Sequence, residues 1–204
     1  MSTRRGNVVY IDNLLDEACA RATAIVKEMR EDLDSEELAK IGEAVGLSAV
    51  RYNIIRVSPE KGINFRWEDA LSFDSDSAPF IMYSHARACS ISRKLTTQGH
   101  DVELLVANEV ASDNWGSLSD SASTLVKRIA TFSEALDASI TNQRPNLFCS
   151  YLLSLATEYN RFYRDNHVLV EGEVNSQNLA LSEAARILLS AGCSGLGIIP
   201  IESM

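Results

Sequence analysis

Apolar side chains recur three and four positions apart through most of this chain, a spacing that packed helices satisfy and strands do not. From Asp12 to Glu31 the apolar positions are Leu14, Leu15, Ala18, Ala22, Ile25, Val26 and Met29, one stripe along an α-helix. Ser35-Glu36-Glu37-Leu38 opens a second helix, with Ser35 as its expected cap and Gly46 as its expected stop. Ser48 to Val57 reads equally as helix or strand, and Ser58-Pro59-Glu60-Lys61-Gly62 reads as a turn. Asn64 to Phe73 stays open, with Trp67 and Phe73 expected to anchor it to a core.

Beyond Asp74 the pattern simplifies. Asp74-Ser75-Asp76-Ser77 is rich in capping residues, and Pro79 sits where a first helical turn tolerates it. Ile81, Ser84, Ala88, Ile91 and Leu95 then form a stripe over four turns expected to face the core. Breaks are expected at Gly99 and at Ser112-Asp113-Asn114. Ser123 to Ile140 reads as one helix, and Leu147 to Arg164, after the turn at Arg144-Pro145-Asn146, as the most hydrophobic one. Gly172 marks a loop, and the last long helix, carrying Leu181, Ala184, Ala185 and Leu188, is expected to stop near Gly192. There is no βαβ alternation and no internal repeat. The expected class is all-α, with a bundle of four or more helices in the second half.

The 204 residues hold no run of about 18 apolar positions, so no membrane span is expected. The first ten residues lack a secretory pattern, and a cytoplasmic protein is expected. Cys19, Cys89, Cys149 and Cys193 form no C-x-x-C pair, which favours buried thiols over zinc or disulfides. His85, His100 and His167 have no partner at ligand spacing, so no metal site is expected and core hydrogen bonding or capping is. The net charge of -9 argues against a broad nucleic-acid-binding face, and no DNA partner is expected, but it leaves room for a local basic or aromatic patch. The glycines of GCSGLG at 192–197 lack the preceding strand that a dinucleotide site needs.

Two groups of residues remain as candidates. Ser2, Thr3, Arg4, Arg5 and Gly6 combine guanidiniums, hydroxyls and a glycine, which suits a phosphate as well as a frayed terminus. Phe80, Tyr83 and Arg87 lie at i, i+3 and i+7 on one side of a helix, and Tyr159, Phe162, Tyr163 and Arg164 cluster near the end of another. Rings beside arginines suit unstacked bases and their phosphates; on the residues alone a place in the core is the more ordinary reading.

Four colinear blocks resemble the C-terminal portion of class I arginyl-tRNA synthetases. MSTRRGNVVYIDNLLDEA is similar to the family's KMSKS loop and following helix, and DALSFDSDSAPFIMYSHARACSISRK to the entry of its helical DALR-type anticodon-binding domain. RPNLFCSYLLSLATEYNRFYRDNHVL resembles a later helix, and ALSEAARILLSAGCSGLGIIPIESM the closing segment. Residues 99–118 are the least recognisable stretch. The resemblance implies two parts: residues 1–76, the end of a catalytic module, and residues 77–204, the anticodon-binding bundle. It implies that Ser2, Arg4 and Arg5 act at the phosphates of ATP, with Thr3 standing where the family's second lysine would be. It also implies that Phe80, Tyr83, Arg87, Tyr163 and Met204 face the anticodon of arginine tRNA. Phe80 replaces a common tyrosine, so stacking is kept and a hydroxyl contact is lost.

The family's H-x-G-H signature and the sheet holding arginine and ATP have no counterpart here. The expectation is therefore the last part of a synthetase, inactive alone and binding no cofactor alone, with ATP and magnesium belonging to the complete enzyme. Its expected partners are the arginine-tRNA anticodon stem-loop and a catalytic domain in cis or in trans. One rival is a free-standing helical protein that binds tRNA or a partner. Another is a scaffold with no RNA contact, in which every ring is core.

Overall fold

The computed structural model describes residues 10–74, 76–112 and 115–204. Its first helix, α1 (Ile11–Met29), lays Ala18, Ala22 and Val26 against α2 (Ser35–Ile55). The cap of α2 is Asp34, one residue ahead of the expected Ser35; its carboxylate accepts the N–H groups of Glu36 and Glu37 at 2.9 and 2.8 Å. An anion suits the partial positive charge of a helix start better than a hydroxyl does.

Gly46 does not stop α2, and the ambiguous stretch after it continues the helix. A Cβ on Gly46 would lie 2.6 Å from the backbone nitrogen of Cys19 and 2.7 Å from the carbonyl carbon of Ala18. The glycine is therefore a point of close approach between two helix backbones. The far end of α2 is tied down by buried Tyr52, whose hydroxyl donates to Asp76 at 2.8 Å, and by Arg56, which pairs with Asp76 at 2.6 Å.

The open stretch contains only the one-turn α3 (Trp67–Ala70), and Trp67 and Phe73 both pack on the core. Then α4 (Ala78–Thr97) begins at Ser77, whose hydroxyl accepts the N–H of Phe80 at 3.1 Å. Ile81, Ser84, Ala88 and Leu95 are buried as the stripe requires. Helix α5 (Val102–Ala111) buries no residue completely.

The single helix expected over 123–140 is two: α6 (Asp120–Ala130) and α7 (Phe132–Thr141). They part at Thr131, where the Thr131 hydroxyl and, at 2.6 Å, the Tyr151 hydroxyl both donate to the carbonyl of Arg128. Those side chains draw the carbonyl away from the helical ladder.

Helix α8 (Pro145–Asp165) packs against α2, α4, α6, α7 and α9 (Ser176–Gly195), with Leu152, Leu155, Tyr159 and Phe162 fully buried. Between α8 and α9 lies a minimal antiparallel hairpin, β1 (Leu169–Val170) and β2 (Glu173–Val174), the one departure from an all-α chain among the described residues. Helix α9 passes Gly192, the expected stop, ends at Gly195, and is closed by Gly197. There φ is +68°, Gly197 N–H donates to Ser194 at 3.0 Å, and Ile198 N–H donates to Cys193 at 2.8 Å. This paired closure needs a left-handed residue, which glycine supplies without a Cβ penalty. One continuous core joins α1 and α2 to the later helices.

Cys89, Cys149 and Cys193 are buried as expected, and Cys19 is half-buried. Burial pushes the Cys149 and Cys193 thiols up to about 12. Among the described residues no helix is long and apolar enough to cross a membrane.

Candidate nucleic-acid interface

The first turns of α4 carry Phe80, Tyr83 and Arg87, the end of α8 carries Tyr163, and the tail after α9 carries Met204. The bundle brings these five together. The Arg87 guanidinium sits 4.7 Å from the ring centroid of Tyr83 and 4.7 Å from that of Tyr163, a cation held between two aromatic faces.

Two adjoining grooves share Arg87 and Tyr163. One, of about 600 Å³, is walled by Phe80, Thr157, Asn160, Arg161 and Arg164. The other, of about 190 Å³, has Tyr83, Arg30, Arg93 and Met204 on its walls. Tyr163 is 39% exposed, and Phe80, Tyr83, Arg87 and Met204 are half-buried. The aromatic cluster near the end of α8 is thereby divided: Tyr159 and Phe162 are core, and Tyr163 faces the grooves. The Tyr159 hydroxyl meets that of Ser182 at 2.9 Å, and burial raises its pKa above the usual phenol range.

A chain of polar contacts fixes Arg87. Its Nη1 donates to Asn160 Oδ1 at 2.5 Å, Asn160 Nδ2 donates to Ser84 Oγ at 2.7 Å, and Ser84 Oγ donates to the carbonyl of Phe80 at 2.8 Å. Neither Asn160 nor Ser84 was a candidate from the sequence. The available signal was that Asn160 precedes Tyr163 by three residues and so shares its side of the helix.

The tail that delivers Met204 is held residue by residue. His85 Nδ1 donates to the carbonyl of Ile201 at 2.9 Å, Arg93 donates to the carbonyl of Glu202 at 2.7 Å, and Arg30 reaches the Ser203 hydroxyl at 3.3 Å. Arg30 closes α1, so the opening helical pair and the tail meet at this groove.

Burial lowers the pKa of His85 from its ordinary 6.5; nearby Arg186 lowers it too, while the Ile201 carbonyl, Glu202 and Glu183 oppose the shift. A histidine kept neutral by the fold contributes stability that is complete above 6.5 and is lost as pH falls through the lower folded value. His85→Asn keeps a donor and removes the titration. Thermal melts are expected to fall more steeply between about pH 7 and 5 for the wild type than for this variant. Parallel pH profiles would contradict that role for His85.

The aromatic and arginine groups offer flat faces, a fixed cation and a flexible thioether on one open surface. That combination fits a splayed base with its phosphate. No cluster of three or more His, Cys, Asp or Glu side chains suited to a metal ion occurs among the described residues. Ser2, Thr3, Arg4 and Arg5 lie outside the described residues.

Comparison with known proteins agrees with this architecture. Residues 81–204 match the DALR anticodon binding domain, and residues 1–67 match the class I (R) tRNA synthetase catalytic domain. The whole chain is 43% identical to part of the arginine–tRNA ligase of Methanocella arvoryzae, spanning 34% of it. It is 39% identical to part of that of Thermococcus kodakarensis, spanning 32%. Among solved structures, the arginyl-tRNA synthetase of Thermus thermophilus superposes on 97% of the chain with a TM-score of 0.79 at 29% identity, and 32% of that protein is covered. The chain thus spans about a third of the length of these relatives. It belongs to the DALR anticodon-binding family, with a segment of the class I (R) tRNA synthetase catalytic domain ahead of that bundle.

Proposed function

We propose that this chain is the tRNA-docking part of an arginine–tRNA ligase, the ATP-dependent enzyme that attaches arginine to its tRNA. Residues 77–204 hold the anticodon loop of arginine tRNA, with Phe80, Tyr83, Arg87, Tyr163 and Met204 receiving unstacked bases. Residues 1–76 form the end of the catalytic module. Their KMSKS-like Ser2, Arg4 and Arg5 contact ATP phosphates once a catalytic domain is present, in cis or in trans. ATP, with magnesium, supplies the activating phosphoanhydride in that complete enzyme. The observation that carries this reading is the gathering of the five residues around one arginine held between two rings.

Exposed Tyr10, Ile11 and Ile63 support a role for the opening segment in packing against the rest of a synthetase. Fluorescence anisotropy with an arginine-tRNA anticodon stem-loop tests the reading. Saturable binding, weaker for an unrelated stem-loop and weakened by salt, is expected. Equal affinity for every RNA, or none, would refute it. ATP–pyrophosphate exchange by this chain alone is expected to be absent, because one segment cannot position ATP and arginine together. Measurable turnover would overturn that expectation.

A further inference from the structure

The base-receiving site has a basic margin that the five residues above do not include. Beside it runs a third groove, of about 320 Å³, between the later turns of α4 and the end of α8. It contains Lys94, Arg164 and His167, and it shares Tyr163 with the other two grooves. Arg161 and Arg164 stand on the wall of the Phe80 groove. Neither this third groove nor the Phe80 groove has a carboxylate on its wall, although the chain has 28 Asp and Glu against 19 Lys and Arg.

Lys94 and Arg161 are exposed, and neither has an ion pair among the described residues. Arg164 pairs with its neighbour Asp165 at 3.2 Å, its one ion pair among the described residues, and its side chain is 74% exposed. Such an exposed pair is weak and yields readily to a phosphate. The walls of these two grooves thus carry three long cationic side chains and no acidic one, in contrast to the Arg87–Met204 groove, where Glu202 stands.

We propose that Arg161, Arg164 and Lys94 form a phosphate track: the sugar–phosphate backbone of single-stranded RNA crosses the end of α8 along them, on either side of the base held at Tyr163. This rests on the anticodon-binding reading and adds the part of the RNA that these grooves take. Rings accept a base face, but a base is tethered to phosphates on both sides. A track with cations on both flanks of a ring meets that geometry. Contacts of this kind set register and affinity without reading sequence, so the track supplies binding and the Arg87 site supplies discrimination.

The test is anisotropy of an anticodon stem-loop RNA over a potassium chloride series, with the wild type and with Lys94→Gln/Arg161→Gln/Arg164→Gln. Each single-strand phosphate contact adds about 0.7 to the log–log salt slope, so the triple variant should be shallower by about 2. Between about 50 and 200 mM salt the wild type should lose roughly 16-fold more affinity than the variant. The preference for the arginine stem-loop over an unrelated one should be unchanged in the triple variant. Tyr83→Ala should do the reverse, keeping the slope and weakening binding. A triple variant with the wild-type slope would overturn the track while leaving the anticodon reading intact. A wild type that binds no RNA at any salt would overturn both.

Discussion

Gly46→Ala is expected to lower the stability of this protein by about 2 kcal/mol, or roughly 4–8 °C in melting temperature for a chain of this size. The direction is the informative part. In an open helix the same change is favourable by about 1 kcal/mol, because alanine fixes less backbone entropy. Here the added methyl would lie 2.6 and 2.7 Å from backbone atoms of α1. Backbone cannot rotate away as a side chain can, so α1 must lift from α2 and uncover Ala18, Ala22 and Val26. Gly195→Ala, in the last turn of α9, is the control: its methyl meets nothing within 4 Å, so the change is expected to be neutral to stabilising, by up to about 1 kcal/mol. Thermal melts followed by circular dichroism decide the matter. An unchanged or higher melting temperature for Gly46→Ala would show that the close crossing does not constrain the helix pair.

Arg87→Ala is expected to weaken stem-loop binding about 10- to 100-fold while the bundle stays folded. The substitution removes the cation between Tyr83 and Tyr163 and the bond to Asn160. Arg87 is half-buried at the edge of the bundle, so its contribution to folding is limited to contacts worth about 0.5–1 kcal/mol each. Because Asn160 and Ser84 hold it in place beforehand, little ordering is left to be done on binding. Arg87→Lys separates charge from shape. An ammonium keeps the charge but has neither a plane to stack nor a fork for Asn160, so only partial recovery is expected. Full recovery by lysine in the anisotropy titration would mean that the flat guanidinium is not used.

Much of the fold was legible because local signals agree with tertiary needs. In α4 a hydroxyl cap, a first-turn proline and a three-four stripe all indicate one helix with one buried face, and the structure has that helix. The failures have identifiable causes. Gly46 as a helix stop and Gly46 as a crossing point look identical until the second helix is in view. The break at Thr131 depends on a hydroxyl reaching in from α8. Helix α5 escaped notice because its stripe is short: Val102, Leu105 and Val106 share one face and pack on a small second core, exposed Leu104 and Val110 blur the pattern, and no residue of the helix is fully buried.

The candidate site divides in the same way. Its residue types and spacing on α4 were readable. At 100° per residue, however, Tyr163 falls on the same side of α8 as buried Leu152 and Tyr159. It stays open because Arg87, and not an aliphatic side chain, stands opposite it. Asn160 and Ser84 were missed for the same reason: their roles exist only once α4 and α8 are side by side.

The claim on which the functional account depends is that bases leave their stack and enter the pocket around Arg87. The most direct measurement compares the arginine-tRNA anticodon stem-loop with a version whose anticodon positions are abasic, each titrated against the wild type and Tyr83→Ala/Tyr163→Ala. Removing the bases is expected to cost the wild type about 1–3 kcal/mol for each base stacked, roughly 5- to 150-fold. The double variant is expected to bind the two RNAs almost equally. A wild type that binds the abasic loop as tightly as the intact one would contradict the account.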